Sequence, residues 1–172
     1  NYPLALEQLV KIDKLIKRKN KKVRYNYIMA QLYQQHTNYR SAKNKYEQVL
    51  ASSPEYEMVF NAKMNLARLL DSGSRDTQKM RQKLLKMTKD DKNKEYLDQI
   101  YFTLAEMDIN NSDTLAAIDN YLLSTVNSIE NNTQKSLSFL ALAKIDYNRS
   151  FYKDAKINYD STLFYMDEDF RD

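Results

Sequence analysis

The sequence predicts an all-α fold of about nine helices stacked as a solenoid, on three observations. One glycine, Gly73, and two prolines, Pro3 and Pro54, are too few for the tight turns of hairpins and strand-to-helix connections. With 172 residues, 42% hydrophobic and 29% charged, the chain has the composition of an ordinary folded domain. Third, a motif recurs: Ala42 and Tyr46, Ala117 and Tyr121, and Ala155 and Tyr159 are each four residues apart, which puts both side chains on one helical face.

Twelve residues before each of these alanines stands another, Ala30, Ala105 and Ala143, in the pairs Met29-Ala30, Leu104-Ala105 and Leu142-Ala143. Leu66-Ala67 supplies a degenerate copy, so the first-helix alanines Ala30, Ala67, Ala105 and Ala143 follow one another at nearly equal intervals. Each unit is therefore two consecutive helices, and the expected helices follow in order. Residues 4–18, with Leu6, Leu9, Val10, Ile12, Leu15 and Ile16 apolar, form the second helix of a preceding repeat, because Leu9 precedes Ala30 by the same interval that separates Tyr46 from Ala67. Helices 23–36 and 39–52 carry Ala30 and Ala42. Helices 55–71 and 76–90 carry Ala67 and then Met80 and Leu84, lengthened by the loop Asp71-Ser72-Gly73-Ser74. Helices 93–110 and 113–127 carry Ala105 and Ala117, and helices 132–149 and 152–166 carry Ala143 and Ala155.

Met29-Ala30, Tyr33, Ala42, Tyr46 and the closing Pro54 make this pattern resemble the tetratricopeptide repeat. The later units keep the alanines and tyrosines, lose the proline and run longer than the ~34 residues usual in that family. The resemblance implies one right-handed α-solenoid: residues 1–20 end a preceding repeat, and four repeats occupy 21–54, 55–91, 92–129 and 130–172. The chain, opening Asn1-Tyr2-Pro3, reads as a piece of a longer protein.

Composition argues against most enzyme chemistry. A phosphate-cradling loop or dinucleotide fingerprint needs several glycines, and the chain has one. Without cysteine there is no thiol nucleophile, disulfide or Cys-ligated zinc, and His36 alone cannot build an H-E-x-x-H site. His36 is expected at a helix end. Asp90-Asp91 and Asp167-Glu168-Asp169 lack the spacing of a cation cage and read as exposed helix-end charges. Glu106, Asp146 and Asp160 have no nucleophile or phosphate-binding element beside them in the sequence. No catalytic residue, cofactor or metal is expected, and no apolar run approaches the ~18 to 20 residues of a membrane span.

Charge is polarised along the chain, +8 over residues 1–50 and −3 over 151–172. Lys17 to Arg24, beside Tyr25 and Tyr27, offers basic and aromatic groups to nucleic acid, but a solvated helix–helix loop accounts for it better, since the tyrosines also belong to the repeat core. Nucleic acid is accordingly not the expected partner; proteins or peptides are. Repeat solenoids bind along a concave face lined by first helices. Counting from the repeat alanines nominates Tyr27, Gln31, Asn61, Met64, Asn65, Arg68, Gln99, Phe102, Thr103, Glu106, Lys144 and Tyr147 for that lining. The two-carboxylate clamp of chaperone-binding relatives is not expected. Asn65 fits one clamp position, but Tyr27 and Thr103 stand where Lys and Arg belong.

A closer resemblance covers roughly residues 80–166. The stretch from Lys92 through Glu106, the stretch Asn131 to Ala143, and Phe151-Tyr152-Lys153-Asp154-Ala155 through Thr162 are similar to the SprE/PorW family of Bacteroidota. This resemblance implies a repeat-containing lipoprotein of the type IX secretion and gliding-motility machinery, at the periplasmic side of the outer membrane. Its implied role is protein–protein scaffolding for protein transport, with the lipid anchor outside this chain. A generic repeat adaptor in another envelope or cytosolic assembly is the alternative.

Overall fold

The alanines that mark the repeat lie in the core. Ala30, Ala42, Ala67, Ala105, Ala117, Ala143 and Ala155 are all buried, together with the large residues preceding the first-helix members, Met29, Leu66, Leu104 and Leu142. A methyl side chain at the crossing lets two helices approach to ~8–10 Å without leaving a gap. The computed structural model describes residues 8, 9, 11, 18–52 and 55–166, and among these every regular element is helical. They are α1 (Lys19–Gln35), α2 (Tyr39–Ala51), α3 (Tyr56–Arg68), α4 (Arg75–Met87), a 3₁₀ turn (Asp91–Tyr96), α5 (Leu97–Asn110), α6 (Thr114–Asn127), α7 (Asn132–Asn148) and α8 (Tyr152–Tyr165). Of the expected helix 4–18, residues 8, 9 and 11 are helical and Arg18 is the extended residue preceding α1; the rest lies outside the described residues, as do Pro54 and Asp167-Glu168-Asp169.

The chain divides into two compact units, one ending at Leu70 and the other starting at Asp71. The division falls inside the expected second repeat, at the loop holding Gly73, whose φ of 71° suits a residue without Cβ. In the first unit α1 packs on α2, and α2 on α3. In the second, α5 pairs with α6 and α7 with α8, α6 packs on α7, and α4 packs against α5. Helices thus associate as adjacent hairpins. None of them is long and apolar enough to cross a membrane.

The three tight hairpins share one turn. Thr37, Ser112 and Ser150 have left-handed φ values of 57°, 62° and 63°. Each is followed by a residue whose N–H reaches back five positions, Asn38 to Tyr33 O, Asp113 to Asp108 O and Phe151 to Asp146 O, all at 2.9 Å. This is the left-handed helix stop that satisfies the last carbonyls, built here without glycine. In two of the three, the residue closing the stop also starts the next helix: Asn38 accepts from Ser41 N and Asp113 from Ala116 N.

Two expectations need correction. The helix expected over 93–110 begins later, because Asp90 caps a 3₁₀ turn through Lys92 N and the α-helix starts only at Leu97. The basic run at Lys17–Arg24, expected as a loop, is helical from Lys19. Val23 and Asn26 are buried on one side of it, and Lys21, Lys22 and Arg24 are exposed on the other. His36 caps the end of α1, as expected.

Candidate protein-binding surface

In the first unit, positions i, i+3, i+4 and i+7 of α3 form one stripe: Asn61, Met64, Asn65 and Arg68. Asn65 and Arg68 meet Tyr27 of α1. The Asn65 amide donates to Tyr27 Oη at 3.4 Å, and Arg68 Nη1 donates to Asn65 Oδ1 at 3.2 Å. The Tyr27 ring stands edge-on to Tyr46 at 5.9 Å, and the Tyr46 hydroxyl donates to Gln34 at 2.8 Å. Burial pushes the Tyr27 phenol above its ordinary value, against the opposing pull of the Asn65 hydrogen bond and the Arg68 charge. Burial, with the neighbouring Tyr27, also raises Tyr46. Both phenols therefore stay neutral and serve as hydrogen-bonding groups, Tyr27 half-buried and Tyr46 wholly buried. Gln31 is exposed on α1, and Asn61 is half-buried.

Met64 does not belong to the surface: it is 3% exposed. Its place on the stripe is right, but a long apolar side chain gains more from burial than from facing water.

In the second unit the corresponding stripe on α5 is Gln99, Phe102, Thr103 and Glu106. Thr103 is fully buried at 0% exposure, with its hydroxyl turned back to Gln99 O at 2.8 Å, and so also leaves the surface. Phe102 is half-buried against the cluster of Ala105, Ala117, Tyr121 and Leu142, its ring edge-on to Tyr121 at 5.3 Å. It is chiefly a packing residue. Gln99 and Glu106 are half-buried, while Lys144 and Tyr147 on α7 are exposed, Tyr147 lying edge-on to Tyr152 at 5.6 Å. What the expected lining retains in this unit is polar and charged.

Two polar clusters lie outside the expected lining. Asp108, at the end of α5 and nearly fully buried, accepts from Arg81 Nε at 3.1 Å, Arg81 Nη2 at 3.3 Å and Asn120 Nδ2 at 2.7 Å, tying α4, α5 and α6 together. Its counterpart one repeat later, Asp146, accepts from Asn158 Nδ2 at 2.8 Å. Asp three residues after the first-helix alanine and Asn three after the second-helix alanine were both visible in the sequence as a repeat position. Asp146 is thus a hairpin brace.

The second cluster surrounds Asp98 at the start of α5. Its carboxylate accepts from Gln99 N at 2.8 Å, Asn131 Nδ2 at 2.9 Å and Ser128 Oγ at 3.3 Å. Its carbonyl accepts from Ser124 Oγ at 2.7 Å, and Ser124 in turn bonds Ser138 at 2.8 Å. Burial raises the Asp98 pKa, and the three hydrogen bonds to the carboxylate oppose the shift. Beside it, Glu95, Asn127, Glu130 and Asn131 line a groove of about 620 Å³. No sequence motif flags this group, since serine and asparagine at these positions look like ordinary solvent-facing residues.

Among the described residues, no three His, Cys, Asp or Glu side chains are grouped to hold a metal ion. Asp90 and Asp91 are exposed, Asp91 pairing with Lys94 at 2.9 Å. Chemically, the surfaces offer neutral phenols, amides and scattered charges. No family model and no curated protein matches the sequence.

Proposed function

We propose that the chain is a non-enzymatic protein-interaction scaffold, a tetratricopeptide-like right-handed α-solenoid serving the type IX secretion and gliding-motility machinery on the periplasmic side of the outer membrane. The observation that carries the scaffold reading is the repetition itself. Crossing alanine, left-handed turn and Asp–Asn brace return together, one repeat apart, in the hairpins α5–α6 and α7–α8. Such modules present long surfaces instead of enclosed pockets, which is the geometry of partner binding. The assignment to the secretion machinery rests on the likeness of residues 80–166 to the SprE/PorW family, and the lipid anchor would lie outside this chain.

Binding energy at such surfaces concentrates in a few anchors, with arginine and aromatic residues prominent. Arg68, half-buried beside Asn65 and Tyr27, is the first to substitute. Pull-down of envelope proteins with the wild-type chain should retain components of the secretion machinery, and Arg68→Ala should retain less. If none is retained, and deletion of the gene leaves secretion and gliding intact, the secretion reading fails and a generic repeat adaptor remains.

A further inference from the structure

Among the described residues of the second unit two carboxylates are buried, and the chain answers them differently. Asp108 receives the guanidinium of Arg81 on both oxygens. Asp98, 2% exposed, receives only neutral donors: the Gln99 N–H on Oδ1, and the Ser128 hydroxyl and Asn131 amide on Oδ2. A buried charge without an opposite one is costly, and burial accordingly holds the Asp98 pKa above its ordinary value. Asp98 also lines the groove of about 620 Å³, together with the exposed Glu95 and Glu130. The lysine of that lining, Lys94, turns its ammonium to Asp91 at 2.9 Å. Beside these acids stands Ile129, 83% exposed, in the α6–α7 loop. Ser128 and Asn131 pin the loop to Asp98 on either side of it, and Ser128 N donates to Ser124 O at 3.0 Å, so the isoleucine is held out in a fixed place.

We propose that this groove receives an arginine side chain of a partner polypeptide, its guanidinium beside Asp98, Glu95 and Glu130 and a neighbouring apolar side chain against Ile129. Charge complementarity selects the occupant: three carboxylates line the groove, and the one cation among them is engaged with Asp91. Guanidinium suits the place because its planar fork bonds a carboxylate in pairs, as Arg81 does on Asp108, and because it is more weakly hydrated than ammonium. A metal ion is the poorer fit, since among the described residues no three acids are grouped closely enough to hold one. The pinned loop needs no ordering when a partner arrives, which favours binding. The proposal rests on the scaffold reading only in taking a polypeptide as the ligand; it is independent of the secretion assignment and of the surface at Arg68.

The probe is a capped five-residue peptide with a central arginine between leucines; its control carries citrulline instead, which keeps the shape and loses the charge. In NMR titration of the whole chain at low salt, the arginine peptide should saturably shift the amides of Gln99 and residues 128–131, and the citrulline peptide should bind ~10-fold or more weakly. Asp98→Asn should cost the arginine peptide as much. Glu95→Gln and Glu130→Gln, at exposed positions where the fold is not at stake, should each weaken it ~2- to 5-fold. Asp154→Asn, exposed at the start of α8, should leave binding intact. No saturable binding, equal binding of the two peptides, or indifference to the combined Glu95→Gln and Glu130→Gln changes overturns the proposal. Calcium chloride shifting the same amides at lower concentration than the peptide would overturn it in favour of a metal ion, and self-association dissolved by Glu130→Gln in favour of a second copy. A pull-down empty of secretion components, with the peptide still bound, sinks the secretion reading alone.

Discussion

Replacing Asp108 by alanine tests whether the second unit is braced by one carboxylate. The side chain is 4% exposed and receives three hydrogen bonds, two from Arg81, whose own side chain is 34% exposed, and one from Asn120. Removing one member of a buried ion pair costs ~3–5 kcal/mol when the other is left wholly without solvent. Arg81 is partly hydrated and can turn outward, so the lower end applies and Asp108→Ala should cost about 3 kcal/mol. Asp146→Ala removes the repeat-equivalent carboxylate, which has the single bond from Asn158, and should cost ~1–1.5 kcal/mol. Urea denaturation followed by circular dichroism reads both, and the m-value checks that each unfolds in one step, since repeat arrays and multi-unit chains need not. The difference between the variants decides the question. If Asp146→Ala costs as much as Asp108→Ala, the tie to α4 contributes nothing and the brace is only the intra-hairpin Asp–Asn bond.

The remaining predictions address the turn, the crossing and the buried acid. Ser112 holds a left-handed φ of 62° on an exposed turn, so Ser112→Gly should stabilise the chain by ~0.5–1 kcal/mol in the same denaturation series; a loss would mean that the hydroxyl or the chain entropy matters more than the strain. Ala105 is fully buried at the α5–α6 crossing, and Ala105→Trp should cost ~1–3 kcal/mol or more by overpacking, whereas an unchanged midpoint would place the crossing elsewhere. Asp98 has its folded pKa raised above 3.8, so the folded state holds its proton more tightly than the unfolded chain. That group's contribution to stability therefore grows as pH falls from neutral through the folded pKa towards 3.8, where it levels off. Asp98→Asn lacks this titration. The stability of wild type minus that of the variant should rise on acidification, and a falling difference would show that the hydrogen bonds outweigh burial.

The helices were legible because their determinants are local and repeated. Ala30, Ala105 and Ala143 recur at the place where two backbones cross, and a residue larger than alanine cannot stand there without pushing the helices apart. Helix bounds came out within a few residues for the same reason, with stops set by the turns at Thr37, Ser112 and Ser150. The 3₁₀ turn before α5 was not legible, since Lys94 and Glu95 favour any helix and only the Asp90 cap selects the tighter one. Surface positions were harder. Met64 and Thr103 occupy the right angular positions on α3 and α5, yet angle alone does not say whether another element lies over them. The cluster at Asp98 was hidden by type: Ser124, Ser128 and Ser138 become core residues only once a buried carboxylate and carbonyl need donors.

Repetition separates what builds this chain from what distinguishes it. Positions that return with the same environment, the buried alanines in all three tight hairpins and the Asp–Asn braces in α5–α6 and α7–α8, are explained by assembly of hairpins and need no partner. Function is to be sought where the register is kept and the environment changes. Thr125 and Leu163 share a register position; the small residue stands where α7 covers it, and the larger apolar one stands where no described helix does. Exchanging the pair tests that difference in cover. Thr125→Leu should destabilise the α6–α7 contact by ~1–3 kcal/mol through overpacking, and Leu163→Thr, at an exposed position, should have little effect on folding. Equal effects of both substitutions on folding would show that the two positions are covered alike.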